Sequence, residues 1–274
     1  MIKLNRKKLT SMLSVDFRRM FTMPLIYILV GISLVMPILI LIMTTTMAGT
    51  TSVNPTTGAE TTMEGFKNVW QIIGSVSSGF GGGGADMSSA GMGAMSMDLT
   101  SMCNINLIFF AAAVLVCLFV ADDFRSGFAK NLFTVRPNKH NYIISKTLVC
   151  FAGSVMMLVA FFVGSMIGGA IAGLPFTLEG VNAFQIVMCM LSKIFLMLVF
   201  VSIYLIASVF AKQKAWLSIL LSLGGSMLMF AMIPMITPLN ASIINVILCL
   251  AGGAGFAIGL GVLSNLILKK TSLV

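Results

Sequence analysis

Six apolar runs divide the chain, at about 24–46, 104–121, 147–172, 186–210, 216–236 and 242–266. A helix that crosses a bilayer needs roughly 20 mostly apolar residues, and each run meets that length. Charged residues make up only 9% of the 274 positions, well below the roughly 25% of a soluble domain. The expected fold class is therefore an all-α polytopic membrane protein. Residues 1–274 form a single transmembrane domain of six spanning helices. The first run follows a basic stretch, as a secretory signal would, but at about 23 residues it exceeds the 7–15 of a signal core, and Thr46-Met47-Ala48 is a poor cleavage site. It is expected to remain as the first span.

Lysine and arginine placement sets the orientation. Lys3, Arg6, Lys7, Lys8, Arg18 and Arg19 precede the first span, and Arg125, Lys130, Arg136, Lys139 and Lys146 follow the second. Lys212 and Lys214 follow the fourth, and Lys269 and Lys270 the sixth. With alternating spans, these six, five, two and two residues put 15 of the 17 basic positions on one side. The reading is N-in and C-in, in a plasma membrane of bacterial type, with residues 47–103 outside. The net charge of +9 is then a basic cytoplasmic face attractive to anionic lipid, not a nucleic-acid footprint.

Before the first span, residues 1–23 read as a basic amphipathic helix lying in the headgroup layer. Leu9, Met12, Leu13, Phe17, Met20 and Phe21 share one face, and Lys7, Lys8, Ser11, Ser14, Arg18 and Arg19 the other. Asp16 falls on the apolar side and needs a partner, for which Arg19 and Arg125 are the candidates. A membrane anchor explains this helix, and docking of a partner is the other reading.

The segment 122-DDFRSGFAKNLFTVRPNKHNYIISK-146 is the one sizeable cytoplasmic loop between spans. Asp122 or Asp123 favours a helix N-terminus. Phe124, Phe128, Leu132 and Phe133 supply an apolar side, and Arg136-Pro137 ends the helix, since proline disfavours helix at the residue before it. Aromatic residues in a charged loop imply something apolar to dock against; a helix lying on lipid is the plainer alternative.

Six spans, an interfacial helix before the first, and the pattern Asp123, Gly127, Leu132, Arg136-Pro137, Lys139 and Lys146 resemble the ABC-2 type permeases, the membrane subunits of ATP-binding-cassette exporters. The pattern departs from the family's usual form in its Asp for the commoner Glu, in Phe128 where Thr is frequent, and in Arg placed before Pro. The resemblance implies a coupling helix in this loop, with Asp123, Phe124, Gly127, Leu132, Arg136 and Pro137 contacting a cytoplasmic ATPase subunit. It also implies a second permease chain, in a homodimer or heterodimer, with ATP and magnesium held by the partner ATPase. The cargo would be hydrophobic or amphipathic: a peptide, a drug or a lipid.

This chain has no G-x-x-x-x-G-K-[ST] with which to cradle a nucleotide, so it is not expected to be an enzyme or to hold a cofactor. Lys193, the one basic residue within a span, is expected to snorkel outward along span four. Gly164-x-x-x-Gly168, Gly169-x-x-x-Gly173 and Gly255-x-x-x-Gly259 mark close helix crossings. Pro37, Pro234 and Pro238 predict kinks, and residues 234–245 could form a re-entrant feature.

Residues 79-GFGGGGADMSSAGMGAMSMDLTSMC-103 hold Met87, Met92, Met95, Met97, Met102 and Cys103. Thioethers and thiols are soft ligands suited to copper(I). A copper-handling membrane protein is thus the alternative function, and a non-transporting scaffold or sensor subunit is a third. No resident metal is expected, because 23 of the residues are Met and many lie in spans. The loop then reads as a gate lining or dimer contact. The preceding 61–76 is expected to form an amphipathic helix carrying Phe66, Val69, Trp70 and Ile73, with Gly81–Gly84 as a hinge.

Overall fold

The computed structural model describes residues 6–53, 60–62, 65–74, 104–135, 139–177 and 180–270. Among them run eight α-helices. α1 spans Arg6–Thr22, α2 Pro24–Met47, α3 Leu107–Arg125 and α4 Phe128–Val135. α5 spans Lys139–Ala172, α6 Ala183–Ala211, α7 Ala215–Ile236 and α8 Ile243–Lys270. The fold is helical but for one hairpin, in which β1 (Thr51–Val53) pairs antiparallel with β2 (Glu60–Thr62).

Five helices are long and apolar enough to cross a membrane: α2, α3, α5 from His140, α6, and α8 as far as Leu268. α7 is 22 residues long, but its continuously described apolar part, Ala215–Met227, is shorter than a span. The helices also run further than the apolar runs suggested. α3 continues to Arg125, and α5 begins at Lys139 rather than at 147. Asp122, Asp123 and Lys146 thereby become helical residues at the ends of α3 and α5 instead of loop residues.

Two packed pairs dominate the bundle, α2 with α5 and α6 with α8. Glycine permits both. A Cβ at Gly164 would run into the Leu34 carbonyl oxygen and lie 2.8 Å from Pro37 Cγ. At Gly168 it would lie 2.8 Å from Ile38 Cα. The first expected crossing is therefore the seat of α2. In the second, Gly169 lies against Val69 rather than another helix. The third is displaced, because among the described residues Gly255 and Gly259 have nothing within 4 Å, whereas a Cβ at Gly253 would lie 2.7 Å from Phe195 O on α6. Pro37 and Pro234 sit inside α2 and α7, which continue through them. Residues 234–245 form no short helix of their own: α7 ends at Ile236, a turn with Thr237, Leu239 and Ala241 buried follows, and α8 starts at Ile243.

α6 is the axis of the core. Its Cys189, Met197, Phe200, Val201, Tyr204 and Leu205 are all buried. Tyr204 reaches across to donate its hydroxyl to Phe109 O of α3 at 2.9 Å, and Ser218 of α7 donates to Ser208 at 2.8 Å. Asn182 and Gln185 cap the helix start reciprocally.

The segment 61–76 does not form the expected helix. Residues 60–62 are strand, and within 65–74 the helical part is a single 3-10 turn, Val69–Ile72. Phe66, Val69, Trp70 and Ile73 are core residues rather than one face of a surface helix. The Gly81–Gly84 hinge lies outside the described residues.

Candidate functional site

α3 stops where Gly127 takes φ +74°, a left-handed conformation that suits glycine. Ser126 N donates to Asp122 O at 2.9 Å, and Asn131 N to Gly127 O at 3.0 Å. One residue thus turns the chain from α3 into α4. A Cβ on Gly127 would meet nothing within 4 Å, so the need for glycine here is conformational.

That turn folds α4 back onto the bundle, against the ends of α1 and α5. α1 buries Met12, Asp16 and Met20, positions four apart on one stripe, and packs mainly on α5. A carboxylate in the middle of a buried stripe requires charge from the facing helix, and Lys146 of α5 supplies it. Lys146 Nζ lies 2.8 Å from Asp16 Oδ1 and 2.7 Å from Asp123 Oδ2, and all three side chains have zero exposure. Both contacts are close charge contacts outside the angles of an aligned hydrogen bond. Asp16 therefore pairs with neither of the arginines expected for it.

The remaining carboxylate oxygens are filled by hydroxyls and by Arg19. Ser145 Oγ donates to Asp16 Oδ2 at 2.6 Å, and Tyr142 Oη to Asp123 Oδ2 at 2.8 Å. Arg19 Nη1 donates to Asp123 Oδ1 at 2.6 Å, while its Nη2 lies 3.4 Å from the half-exposed Asp122. Aromatic rings close the shell. The Arg19 guanidinium sits 4.1 Å from the Phe128 ring centre, and the Lys146 ammonium 4.0 Å from that of Phe119. Two carboxylates, Asp16 and Asp123, are balanced by two cations, Lys146 and Arg19. A buried set of this kind is held only when every member has its partner. It ties α1, α3, α4 and α5 at a single point.

The residues expected to contact an ATPase divide accordingly. Asp123 and Phe124 are buried within the chain and have no surface to offer a partner. Gly127 and Leu132 are half-buried at the α3–α4 turn and on α4. Arg136 and Pro137 lie outside the described residues. The apolar side of α4 is already docked: Ala129 and Phe133 are buried, and Phe133 meets Tyr142 edge-on at 5.2 Å between ring centres. What α4 leaves exposed is Lys130, Asn131 and Thr134.

Sequence reasoning marked Asp16 as misplaced but did not find Lys146 as its partner. Lys146 reads along the chain as a basic residue at a span boundary and as one member of the permease-like loop pattern, not as a partner for Asp16. The available signal was that Asp16 sits on a helix face whose other members, Met12 and Met20, are bound for the core.

A second polar centre lies toward the opposite end. Lys193 does not snorkel. It is 1% exposed, and its Nζ donates to Asn106 Oδ1 and Thr237 Oγ1, each at 3.0 Å. Asn106 precedes α3 and Thr237 follows α7, so their positions relative to α6 were not visible along the chain. The interior of the bundle is thus not free of ionisable residues.

Among the described residues, no group of three His, Cys, Asp or Glu side chains is placed to hold a metal ion. Met87, Met92, Met95, Met97, Met102 and Cys103 lie outside the described residues. Comparisons with protein-family models, with curated proteins and with solved structures match nothing.

Proposed function

We propose that the chain is the permease subunit of an ABC-2 type exporter, driven by a separate ATPase. The observation that supports this most is the charge-locked joint of Asp16, Arg19, Asp123 and Lys146. It fastens the short helix α4 to α1 and to the ends of two long apolar helices. A push on α4 from a soluble partner would thus reach α3 and α5 as a rigid body rather than be lost in a flexible loop. The exposed Lys130, Asn131 and Thr134 and the turn at Gly127 form the contact surface, with Arg136 and Pro137 following. Asp123 and Phe124 act behind that surface by holding α4 in place.

In this reading α7 is also a span, the fifth of six. The α4 end is cytoplasmic, as the basic residues around it require, and the hairpin end faces outward. A second permease chain completes the working unit, and the cargo is hydrophobic or amphipathic.

The test is co-purification of the full chain with its ATPase after joint expression, followed by ATPase assay in lipid. Gly127→Ala with Lys130→Glu and Arg136→Ala is expected to abolish pairing while the permease stays monodisperse. Retained pairing would refute the contact surface. Failure of any ATPase to associate with the unsubstituted chain would refute the permease reading.

A further inference from the structure

Residues 65–74 bury Phe66, Asn68, Val69, Trp70, Ile72 and Ile73 while Lys67 stays exposed, yet apart from one 3-10 turn they are not built into the bundle by regular secondary structure. Three bonds hold them to the backbone of the turn between α5 and α6. Trp70 Nε1 donates to Phe176 O at 2.6 Å, Asn68 Nδ2 donates to Thr177 O, and Val69 N reaches Pro175 O at 3.4 Å. A fourth, from Ile105 N to Ile72 O at 2.9 Å, joins the segment to the residue before Asn106. Underneath, Val69 fills the space left by the missing side chain of Gly169, and the Trp70 ring stacks on Phe162 at 6.2 Å.

The segment ends beside Thr237 and Cys189, the first of which is a partner of Lys193. A Cβ placed on Gly74 would lie 3.7 Å from Thr237 O and 3.8 Å from Cys189 Sγ. Thr237 accepts from Lys193 through its hydroxyl, and Cys189 reaches Thr237 O at 3.6 Å. No carboxylate pairs with Lys193 among the described residues; its acceptors are an amide oxygen and a hydroxyl. An ionisable group buried in a membrane bundle on such terms is costly and marks a functional position. The segment beside it is held by four hydrogen bonds and by the packing of Phe66, Val69, Trp70, Ile72 and Ile73. No long helix continues from it into the bundle, so it can part from the bundle only as one unit.

We propose that residues 65–74 are a lid, closed in this structure, whose lifting opens Lys193, Thr237 and Cys189 to the outer side. Only the word outer rests on the orientation given under Proposed function; the lid itself does not depend on the permease reading.

Cys189 is a native thiol beneath the lid and serves as the probe. In the full chain carrying Cys103→Ser and reconstituted in vesicles, its modification by a charged, membrane-impermeant thiol reagent is followed by peptide mass spectrometry. Gly169→Ala intrudes on Val69, and Trp70→Phe keeps the ring but deletes the bond to Phe176. Trp70→Phe is expected to speed labelling roughly tenfold, the upper effect of one lost hydrogen bond, and Gly169→Ala is expected to speed it as well, by crowding Val69. Val69→Cys with Gly169→Cys, oxidised to a disulfide, is expected to stop labelling until reductant is added. Labelling at an unchanged rate in the oxidised lock, or in a monodisperse Trp70→Phe, overturns the lid. Thr237→Cys repeats the measurement at a second covered position. Lid-dependent labelling from the cytoplasmic face alone would overturn the orientation and leave the lid standing.

Discussion

Lys146 of α5 meets Asp16 of α1 at 2.8 Å with neither side chain exposed. The two residues come from the helix before the first span and from the start of the third. Their pairing packs α1 onto the bundle at this point. Lys146 also touches Asp123 at 2.7 Å, so one ammonium joins three helices.

Lys146→Met leaves two buried carboxylates short of charge. Removing one partner of a buried pair costs about 3–5 kcal/mol, and thermal unfolding in detergent should show a large fall in Tm. Adding Asp16→Leu to that variant is expected to recover part of the loss, since Asp123 still has Arg19 and Tyr142. A double variant no more stable than the single one would mean that the pair is not coupled as described.

Arg19→Lys keeps the charge but loses the fork that spans Asp122 and Asp123, and the flat face over Phe128. A modest fall in Tm is expected, with a larger loss of partner-stimulated ATPase activity. Equal loss of both would reduce Arg19 to a stabilising residue.

Gly127→Ala forces a side chain into the left-handed region at φ +74°, at a cost of roughly 1–2 kcal/mol. Gly127→Asn should cost less, because asparagine tolerates that conformation. Chemical denaturation of the two variants side by side checks the order.

Gly164→Ala drives a methyl into the Leu34 carbonyl and should lower stability by about 1–3 kcal/mol or more as α2 is pushed from α5. Gly255→Ala meets nothing within 4 Å among the described residues and should leave the Tm of the monomer level or slightly raised, since alanine favours the helix. A Tm change at Gly255 that grows with protein concentration would show that another copy packs there.

Lys193→Met is expected to change Tm little, because removing a buried ammonium is offset by the acceptor it leaves unpaired on Asn106. Asn106→Ala, by contrast, deprives Lys193 of an acceptor and should cost about 1–3 kcal/mol. Tm values for the two variants, Lys193→Met level with the native chain and Asn106→Ala below it, test whether the amine is retained for a reason other than stability.

Apolar length was enough to read five crossing helices from the sequence, because a helix in lipid satisfies its own backbone. The Gly164–Gly168 crossing was equally legible, since spacing alone puts both on one face. Pairings between distant segments were not. Lys146 and Asp16 sit far apart in the chain, and a hydropathy window sees each only as a charge at a boundary. Lys193 looked free to reach solvent because its neighbours in sequence are apolar, whereas its partners Asn106 and Thr237 sit just beyond the ends of other helices. For residues 65–74, the periodic placing of Phe66, Val69 and Trp70 suggested a helix. Asn68 breaks that pattern by accepting from Trp70 N with its own side chain at 2.8 Å, which starts a 3-10 turn instead. Phe124, Phe128 and Phe133 read as bait for a partner, and they are consumed within the chain.

The joint at Lys146 also constrains how the molecule is made. Translation delivers α1 and Asp16 well before α5, and proteins are completed from the N-terminus onward. Until Lys146 emerges, Asp16 cannot enter the core and α1 must wait at the membrane surface with its carboxylate in water. The docking of α1 is therefore a late event in biogenesis. It reports that the third long helix is in place.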